Sequence, residues 1–140
     1  MILVVDSGAT KSDWIALSNS GEQLLMTQAL GSPPEVLTRE VIEDRLANNY
    51  ELSQNSTKIQ QVHFYGAGCG TDRMKKFLNE IFKDFFPNAH IDVQEDTYAA
   101  IYATTEIGKQ GIVCILGTGS NCSYYDGHQA FQKVTSLGYI

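Results

Sequence analysis

The chain opens on ILVVDSGATK, residues 2–11, a short apolar run that stops at Asp6 and passes into a turn. The run from Ile2 to Val5 is typical of a buried strand. Two further strands, Trp14 to Ser18 and Leu24 to Ala29, follow at hairpin distance. Because the links between these runs are rich in turn residues, the opening of the chain predicts a three-stranded antiparallel meander.

The rest of the chain alternates helices and strands. Pro33-Pro34 forces extended backbone, and a helix is expected from about Thr38, with an apolar stripe of Val41, Ile42 and Leu46. The elements predicted after it are a strand at Lys58 to Tyr65, a helix from Thr71 or Asp72 that ends at Pro87, a strand at Ala89 to Gln94, a helix at Thr97 to Thr105, a fully buried strand at Ile112 to Leu116, and strands at Ser120 to Tyr125 and Gln129 to Lys133. Alternating units imply parallel pairing with right-handed crossovers, beside the antiparallel meander. This order predicts an α/β, ribonuclease-H-like fold with a mixed five-stranded sheet and flanking helices.

The strand-loop-strand opening at residue 1 recurs at residue 111, and this recurrence bears on domain organisation. We expect residues 1–108 to form an N-terminal lobe. Residues 109–140 are expected to be the opening strands of a second, similar lobe that is truncated. Such strands alone would leave an apolar sheet face and a sheet edge exposed.

Composition excludes several classes of protein. A 140-residue chain with 43% hydrophobic and 19% charged residues can bury a core and is not disordered. Its 10 Lys and Arg against 16 Asp and Glu give a net charge of -6, which provides no electrostatic footprint for nucleic acid or an anionic membrane. Cys69, Cys114 and Cys122 have neither disulfide-framework nor zinc-site spacing, and the first apolar run is too short for a signal peptide or a membrane span. A cytoplasmic protein with a small-molecule partner is therefore expected.

The turn after the first strand is the first candidate for chemistry. Gly8 permits positive φ or close approach of a phosphate, Thr10 offers a hydroxyl, and Asp6 can hold a hydrated Mg²⁺. The spacing is not that of a Walker A loop. An ordinary hairpin turn stays the alternative.

Two further segments add to this candidate. Gly117-Thr118-Gly119-Ser120-Asn121 is a second glycine-rich turn after an apolar strand, and the two turns could hold one polyphosphate with a metal ion. Asp96 follows a strand at the carboxyl edge of the sheet, where a carboxylate can accept a proton from a substrate hydroxyl. A helix N-cap is the alternative role for Asp96.

Together the three motifs resemble the N-acetylglucosamine kinase and BadF/BcrA-type ATPase family, within the sugar kinase, heat-shock chaperone and actin superfamily. The resemblance covers nearly all of the chain and implies ATP-dependent phosphorylation of a sugar or amino sugar. N-acetylglucosamine is the first expected substrate, and ATP and Mg²⁺ are the implied cofactors. The implied cofactor-binding residues are Asp6, which also organises the Mg²⁺, and Ser7, Gly8, Ala9, Thr10, Lys11, Gly117, Thr118, Gly119 and Ser120. The implied substrate-binding residues are Ser32, Gly68, Thr118, Asn121 and Asp96, which is also the implied catalytic base.

The sequence departs from the family pattern at two places. Ser32 stands in the loop where sugar-binding relatives tend to show an Asn. The family's Gly-Asp-Glu-Gly motif and adenosine-binding glycines are expected after Ile140, so these 140 residues alone are expected to be inactive. Two alternatives stay open, an ATPase that activates a 2-hydroxyacyl-CoA dehydratase and a catalytically silent sugar-binding fragment. The implied partner is a small-molecule sugar, and a homodimer stays open.

Overall fold

The computed structural model describes residues 1–106, 108–116, 119–132 and 137–138, and the chain forms two compact units, Met1–Asp96 (unit 1) and Thr97–Ile140 (unit 2). Unit 1 contains β1 (Ile2–Ser7), β2 (Lys11–Leu17), β3 (Gln23–Leu30), α1 (Arg39–Ala47), α2 (Tyr50–Asn55), β4 (Gln61–Gly66), α3 (Asp72–Phe85) and β5 (His90–Glu95). Its strands form one sheet in the order β3-β2-β1-β4-β5. The β1–β2 and β2–β3 pairs are antiparallel, and the β1–β4 and β4–β5 pairs are parallel. The predicted mixed five-stranded α/β architecture is confirmed.

The core of unit 1 lies between one face of this sheet and the helices. Leu3 on β1 is fully buried, and so is Phe64 on β4. The ring of Phe82 on α3 packs edge-on against Trp14, with 6.1 Å between centroids, and lies 4.9 Å from Phe64. Because side chains alternate along a strand, burying Leu3 and Val5 leaves Asp6 on the other, exposed face.

The first helical segment differs from the prediction of one helix with a stripe that includes Val41. The structure has α1 and α2, separated at Asn48 and Asn49, and Asn49 caps α2 by accepting a hydrogen bond from the Leu52 N–H at 3.2 Å. Val41 is 39% exposed, whereas Ile42 and Leu46 are buried as predicted. The short polar side chain of Asn competes with the helical backbone, which explains the break. In the part of the chain that the structure describes, no helix is long and apolar enough to cross a membrane.

Unit 2 contains α4 (Thr97–Thr104), β6 (Gly111–Leu116), β7 (Gly119–Tyr125), β8 (Ala130–Phe131) and β9 (Leu137–Gly138). Strand β7 pairs antiparallel with β6, β8 and β9. A small core forms around Ile101 on α4, Val113 on β6 and Tyr125 on β7.

The prediction that Ile112 to Leu116 is a fully buried strand is wrong. Ile112 is 72% exposed and Leu116 is 85% exposed, while Val113 between them is buried. Alternating side chains place only one face of β6 against the unit 2 core, and the expectation of an exposed apolar face is confirmed. Lys133, which was assigned to the last predicted strand, lies outside the described residues. The domain boundary after residue 108 stays a prediction.

Candidate active site

The turn between β1 and β2 is closed by a hydrogen bond in which the Gly8 N–H donates to the Lys11 carbonyl oxygen at 2.9 Å. Gly8 does not have a positive φ, so that part of its predicted role is wrong. A Cβ built at Gly8 would meet only the Lys11 carbonyl oxygen, at 3.6 Å, and Ala9 and Thr10 are exposed at the tip. The geometry therefore leaves the second predicted role of Gly8, close approach of a ligand, sterically open.

Ser7 links this turn to two other loops. Its carbonyl oxygen accepts a hydrogen bond from the Ala67 N–H at 2.8 Å, and its Oγ accepts one from the Ser32 N–H at 3.3 Å. Ser7 and Ser32 are both buried. Ser7 and Ser32, both predicted to bind ligand, thus also join three segments: the turn itself, residues 31–32 and residues 66–67.

Gly31 lies directly against the turn. Its N–H donates to the Thr10 carbonyl oxygen at 3.0 Å, and its own carbonyl oxygen accepts a hydrogen bond from the guanidinium of Arg45 on α1. A Cβ at Gly31 would lie 2.2 Å from the Gly8 carbonyl oxygen, so only glycine fits here. This contact fixes the inner side of the turn whose outer side is open.

Two glycines of the loop after β4 lie close to carboxylates from other parts of unit 1. Gly68 has φ +79°, and a Cβ there would lie 3.4 Å from Glu35 Oε2; a Cβ at Gly70 would lie 3.6 Å from Glu95 Oε1. Sequence reasoning did not assign Glu35 to the site. The sequence feature that could have indicated a role for Glu35 is its position directly after Pro33-Pro34, in the loop where a substrate contact was expected.

Asp6 and Asp13 are opposite each other in the β1–β2 register but have different environments. Asp6 is exposed as a residue, but partial burial of its carboxylate raises its pKa; the charges of Asp13 and Asp96 raise the pKa further, whereas Lys11 lowers it. The pKa of Asp13 is lowered because Lys11 Nζ lies 3.0 Å from its carboxylate and Gln28 Nε2 donates to it at 2.6 Å. Asp6 is thus the carboxylate whose negative charge is poorly compensated.

Asp96 lies one residue past the carboxyl end of β5. Its N–H donates to the Gly66 carbonyl oxygen at 3.2 Å, which ties it to the end of β4. Burial raises the pKa of Glu95, and the charge of Asp96 raises it further. The same two causes, burial first and the charge of Asp96 second, raise the pKa of the Cys69 thiol to about 12. An acidic edge therefore forms where β1, β4 and β5 end, and the charge of Asp96 acts on Asp6, Cys69 and Glu95.

The donor chemistry of this edge fits Mg²⁺. The described residues contain no group of three or more His, Cys, Asp or Glu side chains that could hold a metal ion. Mg²⁺ in nucleotide sites usually takes one or two carboxylates and completes its shell with water and phosphate oxygens. The poorly compensated Asp6 carboxylate, with Asp96 acting on it, supplies hard oxygen donors of this kind.

The site residues predicted in unit 2 lie around β7. Asn121 is half-buried; its Nδ2 donates to Thr97 Oγ1 at 3.2 Å, and its Oδ1 accepts from Ser123 Oγ at 2.9 Å. Ser120 is exposed and pairs with Leu116 in the strand register, and Gly119 pairs with Gly138. Gly117 and Thr118 lie outside the described residues.

Two solved structures share the architecture of this chain. A structure from Porphyromonas gingivalis, described as a "putative N-acetylglucosamine kinase", matches all of this chain with a TM-score of 0.87 and 37% sequence identity. The motif-based resemblance to the N-acetylglucosamine kinases is therefore confirmed along the whole chain. The chain spans 50% of the length of that kinase.

A second solved structure supports the fold alone. A structure from Cytophaga hutchinsonii, described as a "putative sugar kinase", matches 92% of this chain with a TM-score of 0.61 and 15% identity, and the chain covers 49% of it. No protein-family model and no curated protein matches the sequence.

Proposed function

We propose that the chain is the N-terminal part of an ATP-dependent sugar kinase whose acceptor is an amino sugar such as N-acetylglucosamine. The observation that carries the proposal is that Asp6 near the carboxyl end of β1 and Asp96 just past the carboxyl end of β5 lie on the same edge of the sheet, where the charge of Asp96 also raises the pKa of Asp6. The likeness to the P. gingivalis protein supports the choice of substrate class.

Asp96 is the proposed general base. A carboxylate at the carboxyl end of a sheet strand can accept the proton of a sugar hydroxyl while the hydroxyl oxygen forms a bond to the γ-phosphorus and ADP leaves. The Asp96 N–H is bonded to the Gly66 carbonyl oxygen, which holds the residue in place before substrate arrives. Such positioning contributes much of the rate of phosphoryl transfer.

Asp6 and the turn that follows it are the proposed phosphate site. The open space at Gly8 and the exposed tip at Ala9 and Thr10 allow phosphate oxygens to approach the backbone. Mg²⁺, when bound, neutralises phosphate charge, and Asp6 is the residue that would hold it. The second glycine turn, with Gly117, Thr118, Gly119, Ser120 and Asn121, stays a proposed contact to phosphate and sugar.

The base assignment is tested in a protein extended to the length of the relative, by its own continuing sequence or by the remaining half of the P. gingivalis kinase. We expect N-acetylglucosamine phosphate and ADP to form together from ATP and Mg²⁺. Asp96→Asn should lower kcat by at least about 10²-fold, because the hydroxyl loses its proton acceptor, while ATP affinity is kept. Product is measured by ³¹P NMR and ATP affinity by calorimetry.

The matched control is Asp92→Asn, which also removes a carboxylate from β5. Asp92 lies 3.6 Å from His63 Nδ1 and is outside the proposed site, so transfer should persist. Transfer retained in Asp96→Asn would contradict the general-base role. ADP release at the same rate with and without sugar would favour the ATPase that activates a dehydratase. Sugar binding without turnover would favour the catalytically silent sugar-binding fragment.

A further inference from the structure

Two of the three cysteines meet across the β6–β7 hairpin. Their spacing in the sequence matches no metal-binding or disulfide motif. Cys114 and Cys122 are direct partners in the antiparallel register, and their Sγ atoms lie 3.2 Å apart. Both side chains are exposed. Thiol reagents in solution can therefore reach the pair.

The strand register places the two cysteines within the range of Cα separation that a disulfide spans. Directly opposed residues of an antiparallel pair have Cα atoms about 4.5–5.5 Å apart. Disulfides span Cα separations of about 4.4–6.8 Å. The register and the 3.2 Å between the sulfurs therefore leave only a small closure for bond formation.

We propose that Cys114 and Cys122 form a reversible dithiol–disulfide modification site whose oxidant is a small-molecule disulfide. One cysteine thiolate attacks the small disulfide, forms a mixed disulfide and releases one small thiol. The second cysteine then attacks the protein sulfur of that mixed disulfide, forms the Cys114–Cys122 bond and releases the second small thiol. Two protein thiols lose two protons and two electrons, and the small disulfide is reduced to two thiols.

Cys69 provides the contrast within the same chain. It is fully buried, and burial raises the pKa of its thiol to about 12, so almost none of it is thiolate at neutral pH. A hydrogen bond with Cys114 raises the pKa of the Cys122 thiol as well, so acidity does not distinguish Cys122 from Cys69. Exposure and proximity, which Cys69 lacks, distinguish the pair.

The site has a structural consequence for the hairpin. The bond would close the chain between β6 and β7 into a short covalent loop that contains residues 115–121. Cross-linking removes freedom from the unfolded chain, so the oxidised hairpin should resist opening more than the reduced one.

The test incubates the 140-residue chain with oxidised glutathione, blocks remaining thiols with an alkylating agent and measures intact mass and peptide maps. We expect a monomer that has lost two hydrogen atoms, retains no glutathione and yields a peptide cross-linked between Cys114 and Cys122. Cys69 should be alkylated only after denaturation. Dithiothreitol should restore both thiols.

Single variants separate closure from independent reaction. Cys114→Ser and Cys122→Ser change exposed side chains and should each trap the remaining cysteine as a stable glutathione adduct. Double glutathionylation of the wild-type chain, cross-linking only between chains, or unchanged thiols after prolonged oxidation would each overturn the proposal. The wild-type peptide map decides the question even if one variant fails to fold.

Discussion

The β1–β2 and β6–β7 hairpins have similar sequences and different surroundings. Each has an apolar first strand, a glycine-containing turn and a second strand. In unit 1 the first strand lies in the middle of a five-stranded sheet, and Leu3 is fully buried. In unit 2 the first strand lies at an edge of the described sheet, and Leu116 is 85% exposed. Local pattern therefore sets the hairpin, but neighbouring strands and helices decide whether its apolar residues are core.

The largest expected effect compares leucines on the two first strands. Leu3→Ala should lower the free energy of unfolding of unit 1 by about 3 kcal/mol, because it removes buried methyl groups and leaves a cavity. Leu116→Ala should change the stability of unit 2 by less than about 0.5 kcal/mol. Urea titrations followed by circular dichroism measure both changes, and Trp14, the one tryptophan in the sequence, reports on unit 1 by fluorescence. Equal losses in the two variants would contradict the difference in burial.

A smaller effect is expected on the two sides of the first turn. Gly31→Ala should cost unit 1 about 2 kcal/mol, since the new Cβ would lie 2.2 Å from a backbone oxygen that cannot move freely. Gly8→Ala should stay within about 0.5 kcal/mol, since its Cβ has room. Denaturant titrations provide both values.

The Gly8→Ala variant also tests the proposed phosphate site. In the extended kinase, Gly8→Ala should weaken ATP binding about 3- to 10-fold while stability is kept, because the methyl group occupies the open side of the turn. Calorimetric titration with ATP and Mg²⁺ measures the change. Unchanged ATP affinity in a folded Gly8→Ala protein would argue against this turn as a phosphate cradle.

The smallest expected effect concerns charge at the end of β1. Because the pKa of Asp6 is raised, its ionised form disfavours the native state as pH rises through the folded pKa. Asp6→Asn should therefore raise the Tm of unit 1 by a few degrees at most at pH 7, and the gain should vanish below the usual Asp pKa of about 3.9. Mg²⁺ at millimolar concentration should raise the Tm of the wild-type chain and leave the variant unchanged.

Asp126 in unit 2 is the matched control for this measurement. Hydrogen bonds from the Gln129 and His128 N–H groups lower its pKa, so ionised Asp126 stabilises the native turn above the usual Asp pKa. Asp126→Asn should give a small loss of Tm at pH 7 where Asp6→Asn gives a gain. A Tm change of the same sign in both variants at pH 7 would show that the environment of each carboxylate does not determine its effect on stability.

The sequence predicted much of unit 1 correctly because its signals are local. Apolar runs bounded by turn residues located β1 to β5, and the order of helices and strands led to the mixed sheet. Some errors are local: Asn48 follows the end of α1, Asn49 caps α2, and Gly8 provides space without a positive φ. The error on the burial of β6 has a cause outside a short window of sequence, because it depends on which elements cover the strand.

The candidate site was predicted in part. The positions of Asp6 and Asp96 at strand ends followed from the pattern, whereas Glu35 came to the site through a loop whose path no periodicity describes. The roles of all these residues in catalysis stay predictions. In unit 2, spacing rules gave no relation between Cys114 and Cys122, because only strand register puts two residues eight positions apart on one face.

The sequence by itself thus determined the elements, their order and the placement of glycines and carboxylates after strands, since these depend on local backbone preference and alternation. Only the tertiary structure decided which apolar strand is buried, which glycine is a close contact and which is open, and which carboxylates act on one another. Burial, steric contact and charge interaction depend on atoms brought together from distant parts of the chain. This dependence is clearest for Gly31, which lies against Gly8, and for Asp96, whose charge acts on Asp6.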